Sequence, residues 1–127
     1  MKLFLDTTVL IDVLRNRKGR RQLLADLVRA GHTFSTSVLN VAEVYAGMRA
    51  GEEARTEAFL EGLEEFDIGG QASRAAGKLK MAWSKKGRAI RLPDAIIAAI
   101  AIEKGCALLT DNRKDFPMTE LRLYPLP

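Results

Sequence analysis

The chain has 127 residues, which makes one domain over 1–127, large enough to bury a core without disulfides or a structural metal. With 47% hydrophobic and 28% charged residues it is neither disordered nor fibrous, and a single cysteine, Cys106 in an apolar stretch, excludes a disulfide framework. A formal net charge of +4 and a pI near 9.5 favour an anionic partner.

In chain order, Leu3, Phe4 and Leu5 predict a strand buried on both faces, which leaves Asp6 where that strand exits the sheet. A short helix over 9–14 and a second over 19–30, with Leu23, Leu24, Leu27 and Val28 on one stripe and Gly31 as its C′ residue, come next. A strand is expected over 33–36, then Ser37 as N-cap of a helix over 38–48. An acidic amphipathic helix over 52–64 and a third strand over 66–68 follow, and seven of the sixteen acids (Glu52, Glu53, Glu57, Glu61, Glu64, Glu65 and Asp67) fall in this segment. The remainder of the chain is therefore distinctly basic.

Beyond Gly69-Gly70, a helix over 71–85 shows Ala72, Ala76, Leu79 and Trp83 on one side. Pro93 opens an almost wholly Ala and Ile helix to residue 102, buried nearly all round. A strand over 107–110 and a short last one over 121–124 complete the chain. Strands alternating with helices predict a three-layer α/β/α domain on a mainly parallel sheet of four or five strands.

The N-terminal apolar run is three residues long and the longest uncharged apolar stretch, 95–102, has eight, well short of the ~20 that span a bilayer. The expectation is a soluble cytoplasmic protein without a membrane partner.

Four acids occupy positions that are awkward for a carboxylate without a task. Asp6 ends the first strand, and Glu43 interrupts the apolar helix Val38-Leu39-Asn40-Val41-Ala42-Glu43-Val44 on a polar line with Asn40 and Gly47. Asp94 lies in the first turn of the most apolar helix, and Asp111 follows the 107–110 strand. Each has a plainer reading as a cap, a dipole partner, an ion pair or a turn residue. Their convergence on the carboxyl edge of the sheet is what points to a site. Clustered carboxylates repel unless a cation neutralises them, and an all-oxygen set suits Mg²⁺ or Mn²⁺. Thr7, Thr8 and Thr110 stand beside the acids, either to orient a ligand from behind them or, for Thr7 and Thr8, to cap a helix. Arg15, Arg17, Lys18, Arg20 and Arg21 form a basic run that either tracks a phosphate backbone or is a solvated face.

His32 is the single histidine and precedes a strand, so it reads as a surface or turn residue, which argues against a Ser-His-Asp hydrolase or a zinc site. The stretch from Gly70 to Lys78 fails the phosphate-loop spacing and no G-x-G-x-x-G occurs, which argues against ATP and NAD.

The runs LFLDTTVLIDVLR, SVLNVAEVYAG, LPDAIIAAIAIEKG and LLTDNRKDF, in that order, resemble the PIN-domain ribonucleases and most of all the VapC toxins of toxin-antitoxin pairs. The resemblance covers nearly the whole chain. It implies a Mg²⁺- or Mn²⁺-dependent endoribonuclease acting on RNA, with Asp6, Glu43 and Asp94 as its acidic core, a VapB-like antitoxin as partner, and a homodimer. The family's fourth acid often falls two residues after the threonine, where this chain has Asn112; its own acid is the adjacent Asp111, and Asp115, before Phe116, is a weaker candidate. Two rivals remain: a non-catalytic PIN-like module that binds protein or RNA, and a phospho-acceptor domain, which the Thr7-Thr8 pair after Asp6 disfavours.

Overall fold

The computed structural model describes residues 1–127. Its strands are β1 (Lys2–Leu5), β2 (Thr33–Ser37), β3 (Glu64–Phe66) and β4 (Ala107–Leu109), and its helices α1 (Thr7–Leu14), α2 (Arg20–Arg29), α3 (Val38–Ala46), α4 (Glu53–Glu61), α5 (Gly70–Lys85) and α6 (Leu92–Glu103). The four strands form one parallel sheet in the order β3-β2-β1-β4, so β1 is central and flanked by β2 and β4. This is the three-layer α/β/α architecture expected from the alternating pattern.

The alternation of β1 explains the layers. Leu3 and Leu5 pack with Val9, Leu10, Val13, Leu24, Leu27, Val44 and Leu109, whereas Phe4, pointing the other way, packs with the Ala and Ile residues of α6, Ala72 and Ala76 of α5, and Leu108. Leu3, Phe4 and Leu5 are wholly buried, and each such side chain stabilises the fold by roughly 1.5–3 kcal/mol. The small residues on α5 let it lie close against α6, whose own interior is buried on most sides. Gly31, just past α2, takes φ +93°, the left-handed C′ conformation its position predicts.

Helices α3 and α4 end at Ala46 and Glu61, short of the expected 48 and 64, and two strands differ from expectation. The third strand lies at Glu64–Phe66, two residues earlier than predicted, because the parallel register Ser35↔Glu64 and Ser37↔Phe66 inserts Phe66 into the core, its ring 6.4 Å from that of Phe4. Glu64 and Glu65 stay exposed on this edge strand, where charge discourages pairing with other chains. The last predicted strand shrinks to one parallel bridge, Leu108↔Leu123, before the chain reaches Pro125. No helix is long and apolar enough to cross a membrane.

Candidate active site

Asp6 is the anchor. Its backbone N–H donates to the Leu109 carbonyl at 3.0 Å, which ties the end of β1 to β4, and its carboxylate caps α1 by accepting from the Thr7 N–H at 2.9 Å. The Thr110 hydroxyl donates to its second oxygen at 2.7 Å and itself accepts from the Asn112 N–H at 3.0 Å. Only 6% exposed, Asp6 has its carboxyl pushed above the ordinary range by burial; the bonds from Thr110 and Thr7 work against that, and the nearby charges of Glu43 and Asp115 add to it. A helix cap thus also serves as a buried, oriented carboxylate.

Glu43 reaches the same place from α3. Ser37, in extended backbone, caps that helix and donates to Asn40 Oδ1 at 2.5 Å. The wholly buried Asn40 donates through Nδ2 to Thr7 Oγ1 at 3.0 Å, with Asp6 Oδ1 at 3.5 Å. The Thr7 hydroxyl in turn donates to Glu43 Oε1 at 2.7 Å. The polar line inside an apolar helix is therefore a hydrogen-bond chain, Ser37 to Asn40 to Thr7 to Glu43, that fixes one carboxylate beside another.

Asp94 comes from the first turn of α6, where Pro93 supplies a preset φ. Half-buried, its carboxyl is also raised, first by burial; the Arg91 guanidinium opposes this, while the charges of Asp115, Asp6 and Glu43 add to it. The charges of Glu43 and Asp115 thus reach both Asp6 and Asp94 at the carboxyl edge of the sheet.

Asp111 is not in that group. Its carboxylate lies 2.8 Å from the buried Arg20 guanidinium and 3.7 Å from Lys18 Nζ, and Lys18 also stands 3.5 Å from the buried Asp12. Arg20 bonds further to the Pro127 carbonyl at 3.4 Å. Asp111 and Arg20 therefore tie the end of the chain to the start of α2, and Arg20 is too enclosed to meet a phosphate. Asn112 contributes only its backbone, through Thr110 and the 3₁₀ turn Arg113–Asp115. That turn is what sequence reasoning undervalued: Phe116, 3% exposed, plugs into the core and draws Asp115 in with it. The Asp-Phe pair at 115–116 was the available signal. Thr8 Oγ1 is buried in the first turn of α1 without a partner. His32, by contrast, packs its ring edge-on to Tyr124 at 5.7 Å, in the other apolar cluster.

Of the remaining basic run, Arg15 bonds Glu52 and the Gly47 carbonyl, Arg21 bonds the carbonyls of Val13 and Leu14, and Arg17 is exposed. No three carboxylates are drawn close enough to grip one ion directly. The donor set is nonetheless hard oxygen throughout, and Mg²⁺ keeps most of its waters and takes one or two carboxylates, so the chemistry of the set fits such a cation.

The PIN domain family model matches residues 3–119. The ribonuclease VapC19 of Mycobacterium tuberculosis is 36% identical over 118 residues, which cover 93% of this chain and 94% of the relative. Among solved structures, VapBC2 from Rickettsia felis bound to a DNA fragment from its promoter superposes with a TM-score of 0.86 at 24% identity, covering 98% of each chain. A toxin-antitoxin complex from Klebsiella pneumoniae superposes with a TM-score of 0.76 at 28% identity, over 97% of this chain and all of the other. Matched by the family model over residues 3–119 and 36% identical to a VapC ribonuclease over nearly its whole length, the chain belongs to the PIN-domain family, in the VapC group.

Proposed function

We propose that the chain is an endoribonuclease that hydrolyses RNA phosphodiester bonds with Mg²⁺ or Mn²⁺, the toxin of a VapBC-type pair. The observation that carries this reading is the meeting of Asp6, Glu43 and Asp94 from three separate elements at one sheet edge, in a chain 36% identical to a ribonuclease. The partners are RNA, a VapB-like antitoxin and a second copy of the chain, in the cytoplasm.

Among Asp6, Glu43 and Asp94, one or two would hold the cation directly and the rest through its waters, with Asp115 adding negative charge. When bound, such an ion acts as a Lewis acid toward a phosphoryl oxygen and lowers the pKa of a water. The protein's share is orientation. Thr110 and the Thr7 N–H lock both oxygens of Asp6, and the Thr7 hydroxyl leaves Glu43 one oxygen free to accept. The charge of Arg91, felt at Asp94, would also favour a phosphate approaching the acids. No histidine base is required.

Antitoxin-free protein incubated with total cellular RNA should yield discrete fragments with Mg²⁺ or Mn²⁺ and none with EDTA. Loss of an outer-sphere partner at a metal site typically costs about 10–100-fold, so loss of a ligand in Asp94→Asn should cost about 100-fold or more. Asp115→Asn should weaken cleavage and folded Asp111→Asn should retain it. Wild-type rates in folded Asp94→Asn would overturn the mechanism. Absence of both cleavage and Mg²⁺ binding would replace it with a non-catalytic binding module.

A further inference from the structure

The loop after α1 and the turn after α3 meet in an open concavity of about 410 Å³ lined by Leu14, Asn16 and five arginines: Arg15, Arg17, Arg21, Arg49 and Arg55. Arg15 and Arg21 have a structural role there. Arg21 donates to the last carbonyls of α1 at 2.8 and 2.9 Å, and Arg15 to the Gly47 carbonyl at the end of α3 at 3.1 Å, where cations complement the helix dipoles. Bonds to neutral carbonyls leave the charge uncancelled. The one carboxylate bonded to the group is Glu52, which accepts from Arg15 at 3.4 Å and from the Arg49 backbone N–H at 2.7 Å. Five guanidiniums against one carboxylate leave a surplus of four, as large as the formal +4 of the whole chain.

Arg17, Arg49 and Arg55 are exposed and make no ion pair. They come from three different segments. Arg17 is presented by a loop in which Asn16 and Lys18, on either side of it, hold φ of +52° and +55°, a left-handed conformation that is unfavourable for a lysine. The surface is reached from the acids along two helices: α1, capped by Asp6, is eight residues long, which is about 12 Å, and Arg49 lies six residues beyond Glu43.

We propose that this concavity is a phosphate-backbone subsite for single-stranded RNA, gripping the strand a few nucleotides from the bond being cut, with Arg17, Arg49 and Arg55 as the contacting residues. The inference rests on the ribonuclease reading above. Forked guanidiniums match phosphate oxygens, and a charged groove that tracks the backbone is how single strands are held without sequence readout. A protein partner would be expected to bring apolar area, and Leu14 is the one hydrophobic residue in the lining.

The test is the salt dependence of binding of a fluorescent, short, mixed-sequence single-stranded RNA, in EDTA and in the Asp94→Asn background, so that it reads binding whether or not the chain cleaves. The Arg17→Gln/Arg49→Gln/Arg55→Gln variant should keep its thermal midpoint. Its slope of log K against log salt, over about 50–200 mM, should be shallower by about 2, about 0.7 for each phosphate no longer neutralised. The same charge change on α5 and its C-cap, Lys78→Gln/Lys85→Gln/Lys86→Gln, should leave the slope within about 0.5 of the parent. An unchanged slope in the arginine variant, an equal fall in the lysine variant, or no RNA binding by the parent would overturn the subsite. So would an unchanged RNA slope accompanied by lost binding of the co-expressed antitoxin, which would make the arginines a protein contact. Metal-dependent cleavage by the wild type is scored separately, so the ribonuclease reading can survive the failure of this one.

Discussion

Asp6 and Asp94 are carboxyls whose affinity for a proton is higher in the folded chain than in the unfolded one, because burial and the other acids penalise the charged form. Between the ordinary value of 3.8 and their raised values the folded state binds more protons than the unfolded state. The unfolding free energy therefore falls as pH rises through that window. In EDTA, wild-type protein should lose thermal stability as pH is raised from about 4 toward neutrality. Folded Asp94→Asn should lose less, so that it melts above the wild type near neutral pH and the difference closes near pH 4. Melting curves across that range check the sign; a wild type more stable than Asp94→Asn near neutrality in EDTA would mean that these charges are compensated within the protein. A hard divalent cation should reverse the order by binding the folded wild type. The same scale separates Asp111 from Asp115. The charge partner of Asp111 is Arg20, 91 residues away in sequence, and a buried arginine captures the nearest acid whatever role a motif suggests for it.

Helix α3 shows how one element carries both stability and site geometry. Its cap, Ser37, satisfies the Asn40 N–H and also donates to the Asn40 side chain, which orders Thr7 and through it Glu43. Ser37→Ala should destabilise the protein by about 1 kcal/mol, the usual cost of a lost cap. Cleavage should fall further than that loss of stability explains, by about 10-fold, as for other partners that orient a metal ligand from behind. Urea unfolding and cleavage rates measured on the same preparation distinguish the two effects; a stability loss with unchanged cleavage would show that Glu43 holds its position without the chain of hydrogen bonds. Most helices were legible in the sequence, because capping and 3.6-residue periodicity are local: Ser37, Gly31 and Pro93 each mark a helix end or start within a residue. Strand β3 was less so, since the three-residue segment Glu64–Phe66 carries almost no periodicity and its limits are set by pairing with β2.

On the scale of the molecule, the single sheet is sealed on both faces, and Phe4 is the hinge of one of them, in contact with the cluster formed by α5, α6, Phe66 and Leu108. Phe4→Ala should cost about 3–5 kcal/mol, the range for emptying a large buried aromatic site. Equilibrium urea unfolding measures it, and a cost below about 1 kcal/mol would mean that the α5–α6 layer collapses into the gap. The sequence by itself determined the layer order, the all-but-buried α6, and that Asp6, Glu43 and Asp94 stand out as carboxylates, because each of these depends on a carboxylate or an apolar stripe being out of place in its local run. Only the tertiary structure decided that the charge of Asp115 reaches Asp6 and Asp94 while Asp111 pairs with Arg20, that Ser37 and Asn40 lead by hydrogen bonds to Glu43, and that Arg49 and Arg55 join Arg15, Arg17 and Arg21 around one concavity. These outcomes depend on which segments the parallel register and the two packed faces bring together, across separations such as 36 and 91 residues of chain, and no local pattern encodes such distances.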